Sequence, residues 1–303
     1  MDKNQIAALL QKIESTETAS GSARVKTIVN RIVKDLFHTI EDLDIQPDEF
    51  WVAINYLTEA GRSGEYGLIA AGLGFEHFLD LRMDEDDAKH GVTGGTPRTI
   101  EGPLYVAGAP ETKGMARLDQ DVAPGEVLFM QGQVRDSAGK VLPNALVEVW
   151  HANHLGNYSF FDSSQSPFNL RASIRTDAQG RYRFRSLVPV GYSVPPKGAT
   201  DQLLTQLGRH GTRPAHIHFF VSAPGFRKLT TQINIDGDPF LWDDFAFATR
   251  EGLVPPIVRI TDAAALRSNE VDAPFYSIDF DLTLHAEQQG LPSGEIKRPR
   301  MSV

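Results

Sequence analysis

The chain has 303 residues and a net charge of -9, with 23% charged and 41% hydrophobic residues and no cysteine. That balance is ordinary for a soluble globular protein of one large domain or two smaller ones, and it argues against a nucleic-acid surface. Disulfides, iron–sulfur clusters and thiolate zinc sites are excluded, no apolar run makes a membrane span, and no signal-peptide core follows Met1, so a cytoplasmic location is expected.

The first ninety or so residues carry helical periodicity. Ile6, Leu9, Leu10 and Ile13 fall on one stripe of a helix, spaced i, i+3, i+4, i+7. A stronger stripe runs through Val25, Ile28, Val29, Ile32, Val33, Leu36, Phe37, Ile40 and Leu43. Pro47 is placed as the first-turn proline of a third helix carrying Phe50, Ile54 and Leu57. A fourth apolar stretch spans Tyr66 to Leu81 and ends in Asp84-Glu85-Asp86-Asp87. A helical bundle accounts for this region, and the continuous second stripe also suits a dimer interface.

From about Thr99 the period changes to two. Strands are expected over Val127 to Val134 and Ala145 to Trp150, with a turn at Asp136-Ser137-Ala138-Gly139. Asp177-Ala178-Gln179-Gly180 separates Ile174-Arg175-Thr176 from Tyr182 and Phe184 in hairpin fashion. Tyr276, Ile278, Phe280, Leu282 and Leu284 alternate near the end. The fold class expected is mixed: a helical N-terminal domain over residues 1–98, then an antiparallel β-sandwich domain over 99–303. Its long loops, Tyr158 to Arg171 and Gly191 to Arg213, are where function is expected.

The most informative segment is Arg213-Pro214-Ala215-His216-Ile217-His218. Two histidines at i and i+2 on a strand project to one face and can reach one ion. By itself the pair is also compatible with hydrogen-bonded, half-buried histidines or a cupin-like Fe(II) site. With no cysteine, further ligands must be oxygen or nitrogen. Tyrosine is sparse, at seven residues, and Tyr158 and Tyr192 stand in polar, turn-like settings outside any alternating strand. Either tyrosine alone is more simply a partly buried ring with a bonded hydroxyl. His151 and His154 are spaced i, i+3 but lack a third ligand, so structural hydrogen bonding is expected of them. His38, His77, His90, His210 and His285 show no partner pattern.

Together, these residues and several strings resemble the intradiol ring-cleaving dioxygenases, closest to their catechol 1,2-dioxygenase branch. The strings are Ile100-Glu101-Gly102-Pro103-Leu104-Tyr105, Leu142-Pro143-Asn144-Ala145, Val147-Glu148-Val149-Trp150, Gly191-Tyr192 and Gly208-Arg209-His210-Gly211. They continue in Leu229-Thr230-Thr231-Gln232-Ile233 and Asp243-Asp244-Phe245-Ala246. The resemblance implies one non-haem Fe(III) per subunit, held by Tyr158, Tyr192, His216 and His218. It also implies catechol and O2 as substrates, cis,cis-muconate as product and a role in aromatic compound degradation. Chlorocatechol or hydroxyquinol is the alternative substrate, and a non-catalytic β-sandwich binding module is the alternative outside the class. The ligand types make chemical sense, because a hard trivalent cation suits phenolate oxygen. Two phenolates and a hydroxide balance its charge, and a catechol dianion can replace one phenolate and the hydroxide without creating buried charge.

The resemblance further implies that Tyr192 leaves the ion and accepts a substrate proton. Arg213 would stabilise negative charge developing on the substrate, with a structural ion pair as its simpler reading. Gln232 would be a donor orienting a reacting oxygen. The pocket walls would be Leu73, Ile100, Pro103, Leu104, Phe245 and Ala246, each otherwise plain core. A homodimer through the N-terminal helices, with a possible phospholipid between subunits, is implied as well.

Overall fold

The computed structural model describes residues 3–121, 123–298 and 300–302. They fall into two compact units, divided between Ser63 and Gly64. The first holds α1 (Lys3–Glu14), α2 (Ala23–Asp42) and α3 (Pro47–Arg62). Ser22 caps α2 by accepting from the Val25 amide, and Pro47 opens α3 behind a Gln46/Glu49 capping box. No described residue of α2 is buried, and Val25, Ile28, Val29, Ile32 and Leu36 are each 42–57% exposed. Val33, Phe37 and Ile40 of the apolar stripe are half-buried, and the rest of it is exposed.

The second unit begins with α4 (Tyr66–Gly72) and α5 (Phe75–Lys89). The single apolar stretch expected here is two helices. Gly74 breaks it with φ +79, a left-handed conformation open to glycine, and the acidic cluster lies inside α5 rather than beyond it. The strands follow: β1 (Val106–Ala107), β2 (Glu111–Lys113), β3 (Met115–Arg117), β4 (Val127–Asp136), β5 (Leu146–His151), β6 (Arg171–Arg175), β7 (Arg181–Leu187) and β8 (Tyr192–Ser193). After α6 (Ala199–Gln206) come β9 (Thr212–Arg213), β10 (His216–Ser222), β11 (Leu229–Asn234) and β12 (Val258–Ile260). The described chain closes with α7 (Ala263–Ser268), β13 (Phe275–Asp279), β14 (Leu282–Leu284) and β15 (Met301–Ser302).

Two sheets face each other, one ordered β11-β10-β5-β6-β2 and the other β12-β13-β4-β7-β3, with β14 continuing beside β4. Leu128, Met130 and Phe184 from one sheet pack with Val147, Ile217 and Phe219 from the other in a single core. The sandwich expected to be antiparallel is mixed. Its central ladders are antiparallel, but β2·β6, β3·β7, β13·β4 and β14·β4 run parallel. The turn at Asp177 has the local hydrogen bonds of a hairpin, yet β6 pairs with β5 and β7 with β4, so it crosses between sheets. Period-two patterning gives the strands but not which sheet receives them.

Gly132 interrupts β4 opposite the point where the chain passes from β13 to β14. A Cβ there would lie 1.8 Å from the Phe280 carbonyl oxygen, which also accepts from the Tyr182 hydroxyl. Gly132→Ala is expected to cost about 3 kcal/mol or more, because backbone must move to admit the methyl. Chemical denaturation against the wild type measures it.

Candidate metal centre

β10 is the strand between β5 and β11, so both its edges are hydrogen-bonded. Ile217, Phe219 and Val221 turn into the sandwich core, and His216, His218 and Phe220 turn to the other face. Trp150, Tyr158 and partly buried Leu104, Tyr105 and Tyr192 cover Phe220 on that face. Burial on both faces explains why the string reads as nearly continuous hydrophobic sequence around two histidines.

Four side chains meet there. His216 Nε2 lies 3.1 Å from His218 Nε2 and 3.4 Å from the Tyr158 hydroxyl oxygen. The Tyr192 ring is 5.5 Å from the rings of both Tyr158 and His216. His216 Nδ1 is 2.6 Å from the Pro214 carbonyl oxygen, to which it donates, leaving the Nε2 lone pair facing the cluster. His218 is fixed by stacking on Trp150 at 4.9 Å and 6°, and its buried Nδ1 has no partner among the described residues.

Burial, with the Arg213 charge, pushes His216 down to about 3, and burial, with the neighbouring His216, holds His218 well below the ordinary histidine range. Both imidazoles are therefore neutral and able to donate a lone pair. Burial and the adjacent Tyr192 push the Tyr158 phenol well above 10, so a phenolate there requires a close cation. Among the described residues, no group of three or more His, Cys, Asp or Glu is placed to hold a metal. The donor set gathered here, two neutral imidazoles and two phenols, fits a hard, highly charged ion.

Arg213 is buried beside this cluster. It donates through Nε and Nη2 to Asp244 at 3.2 and 3.0 Å and through Nη2 to Gln232 Oε1 at 2.8 Å, while Nη1 lies 3.1 Å from His216 Nε2. Asp244 is itself gripped by the amides of Ala246 and Ala248. Burial opposes its charge, but Arg213 and these donors hold its carboxyl below the usual range. Arg213 is thus both in an ion pair and aimed at the cluster. Gln232 sits opposite His218 in the β10–β11 ladder. Its oxygen accepts from Arg213 and its nitrogen donates to Asn234 at 3.1 Å, so Gln232 props the arginine and keeps a second N–H.

The tyrosines stand on connections. Tyr158 follows a turn built by the Asn153 side chain, and buried Arg171 clamps the next residue through the Ser159 hydroxyl and carbonyl at 2.9 and 3.0 Å. Tyr192 is held by the two-residue β8–β9 ladder opposite Arg213. A Cβ on Gly191 would lie 2.6 Å from the Arg213 carbonyl oxygen, so this glycine allows close backbone approach.

A cavity of roughly 470 Å³ opens onto Tyr158, Tyr192 and Arg213, with Ile100, Pro103, Leu104, Phe245 and Ala246 among its walls. Leu73 is not in this lining. It follows the last turn of α4 and is 39% exposed, whereas Leu68 and Ala71, i and i+3 on the helix, line the cavity. Asp244, Arg171, Trp150, Leu68 and Ala71 are the site residues that sequence reasoning missed, although Asp244 lies within one of the strings quoted above. His151 bonds through both ring nitrogens, to the Ala152 carbonyl and the Ser186 hydroxyl at 2.7 Å each, as a structural histidine does. His210, which had no partner pattern, pairs with Asp243 at 3.1 Å.

Residues 100–286 match the family model described as Dioxygenase, and residues 22–91 match Catechol dioxygenase N terminus. The chain is 74% identical to catechol 1,2-dioxygenase 2 of Acinetobacter lwoffii, over 85% of this chain and 94% of that one. It superposes on the crystal structure of catechol 1,2-dioxygenase from Acinetobacter radioresistens with a TM-score of 0.97 and 55% identity, covering 100% and 99% of the two chains. Identity to the hydroxyquinol 1,2-dioxygenase of a Rhizobium strain is 34%, over 86% of this chain and 89% of that one.

Proposed function

Since the chain belongs to the intradiol dioxygenase family, we propose that it cleaves catechol with O2 between the two hydroxyl-bearing carbons, giving cis,cis-muconate. The observation that carries this reading is the convergence of Tyr158, Tyr192 and His218 around the Nε2 lone pair of His216, beside a cavity with apolar walls. Tyr158, Tyr192, His216 and His218 would hold one ferric ion. When bound, that ion draws electron density from the deprotonated diol and makes a ring carbon reactive toward O2.

The chain's own residues supply the rest. Ile100, Pro103, Leu104, Leu68 and Ala71 grip the aromatic ring and exclude water. Tyr192, half-buried and held by only two ladder pairs, takes a substrate proton on its hydroxyl oxygen. Tyr158 and both histidines stay in place, since burial and stacking fix their rings. Arg213, held by Asp244 and Gln232, presents Nη1 to negative charge developing on the substrate without having to reorient. Catechol is favoured over hydroxyquinol and chlorocatechols by the higher identity to catechol enzymes.

In this reading residues 99–303 form the catalytic domain and residues 1–98 the helical dimerisation region. The exposed stripe of α2 supports a homodimer with a second copy of the chain, and a phospholipid chain could fill any apolar gap left between copies. No described helix is long and apolar enough to cross a membrane, and we place the enzyme in the cytoplasm. The test is product identification across catechol, methylcatechols, chlorocatechols and hydroxyquinol, with the iron content of the purified protein measured alongside. The expected result is a red-to-violet protein that gives cis,cis-muconate from catechol. Formation of 2-hydroxymuconic semialdehyde, or an iron-free protein with full activity, overturns the reading.

A further inference from the structure

A second cavity, of roughly 400 Å³, shares no lining residue with the first. One side is α5, which presents Asp80, Asp84 and Asp87 at successive turns. Arg98, Arg227 and Arg250 reach it from three other segments. Arg98 bonds both Asp84 and Asp87, Arg227 bonds Asp87 at 2.7 Å and Arg250 bonds Asp84 at 2.6 Å. Three guanidinium groups thus share two carboxylates, which leaves one positive charge in excess. Each arginine also keeps one nitrogen that donates to no described residue: Nη1 of Arg98, Nη2 of Arg227 and Nε of Arg250. Asp80, one turn before Asp84, is only 5% exposed, and its Oδ2 has no hydrogen-bond partner among the described residues.

We propose that this cavity binds a small organic carboxylate, with its charge against the spare arginine nitrogens and one of its oxygens hydrogen-bonded to Asp80. Charge balance selects an anion. With Asp80 protonated the five-member network carries +1, and a carboxylate neutralises it, whereas a cation would add to the surplus. The Lys228 ammonium lies 4.1 Å over the Phe220 ring, which is not in this lining, so the three arginines carry the selection. The apolar walls Met83, Val92, Leu229, Leu284 and Ile296 favour an organic anion over phosphate.

Burial lifts the Asp80 carboxyl to about 7, against the lowering influence of Arg98 and Arg250 and with Asp84 and Glu76 raising it further. The other titratable or charged groups around it are Asp87, Arg227, Lys228 and His285 in the cavity and His77 on its own helix. Because the acid must keep its proton to donate to the ligand, binding weakens as pH rises through 7.

The experiment is calorimetric titration of adipate into the iron-loaded full chain at pH 6 and pH 8, with inorganic phosphate as the second probe. Adipate is expected to bind at least about tenfold more tightly at pH 6, and phosphate at least about tenfold more weakly than adipate. Asp80→Asn, whose amide donates at either pH, is expected to keep binding and abolish the pH difference. Thr93→Trp, which fills the cavity from an exposed lining position, is expected to remove binding and leave catechol turnover unchanged. Absence of adipate binding at millimolar concentration, equal binding of phosphate, undiminished binding in Thr93→Trp, or an unchanged pH difference in Asp80→Asn each overturns the proposal. None of these outcomes bears on the ring-cleavage reading, which is tested by product identity.

Discussion

Replacing His216 by alanine is expected to give a folded, colourless protein whose kcat/KM for catechol is lower by at least about a thousandfold. His216 is the hub of the cluster, with His218, Tyr158 and Arg213 all within 3.4 Å of its Nε2. Its removal leaves three donors with no fourth to close the set. The fold should persist because its strand neighbours Ile217 and Phe219, not His216, fill the sandwich core. Tyr158→Phe is the companion variant. It keeps the ring in its buried place and deletes only the oxygen, so loss of iron in both variants points to ligation and not to packing. Iron content, visible absorption and circular dichroism decide the matter. If both variants stay coloured and active, the ligand set is wrong.

Asp244→Asn is expected to reduce kcat by about a hundredfold while iron remains bound and KM changes much less. The same change is expected to cost roughly 3 kcal/mol of stability, because it leaves the Arg213 guanidinium buried without its counter-charge. Asp244 is not itself among the cavity walls and makes no hydrogen bond to Tyr158, Tyr192, His216 or His218. It acts through Arg213, to which it presents both carboxylate oxygens. A merely structural acid would lower stability and spare turnover per iron, so the kcat of iron-replete enzyme is the discriminating readout. Wild-type kcat in that variant would show that the position of Arg213 does not matter to the chemistry.

How legible the molecule was in its sequence depended on whether the physical cue was local. His216 and His218 are two residues apart on a strand, and period two alone puts them on one face. The exposed stripe of α2 and the strands over 127–136 and 146–151 were readable for the same reason. Asp244 was not, since its partner Arg213 lies 31 residues away and an acid in a loop carries no periodicity. The break at Gly74 was missed because glycine is tolerated inside a helical pattern until its left-handed φ is seen. Leu73 was named by resemblance and not by any local cue, and it lies just past the end of α4, outside the cavity lining. The turn at Asp177 looks like a hairpin over a few residues, and only the global pairing sends its two strands to different sheets.

The cavity walls and the strand that carries His216 and His218 are different parts of the chain. Leu68 and Ala71 come from a short helix, Ile100 to Leu104 from an extended segment and Phe245 with Ala246 from a loop, whereas β10 contributes no wall. Substrate preference is accordingly expected to drift, or to be open to engineering, by swapping residues on three peripheral pieces while the proposed iron ligands on β10 stay untouched. A library randomised at those positions could be screened first by eye for pigment and only afterwards for which diol each clone consumes.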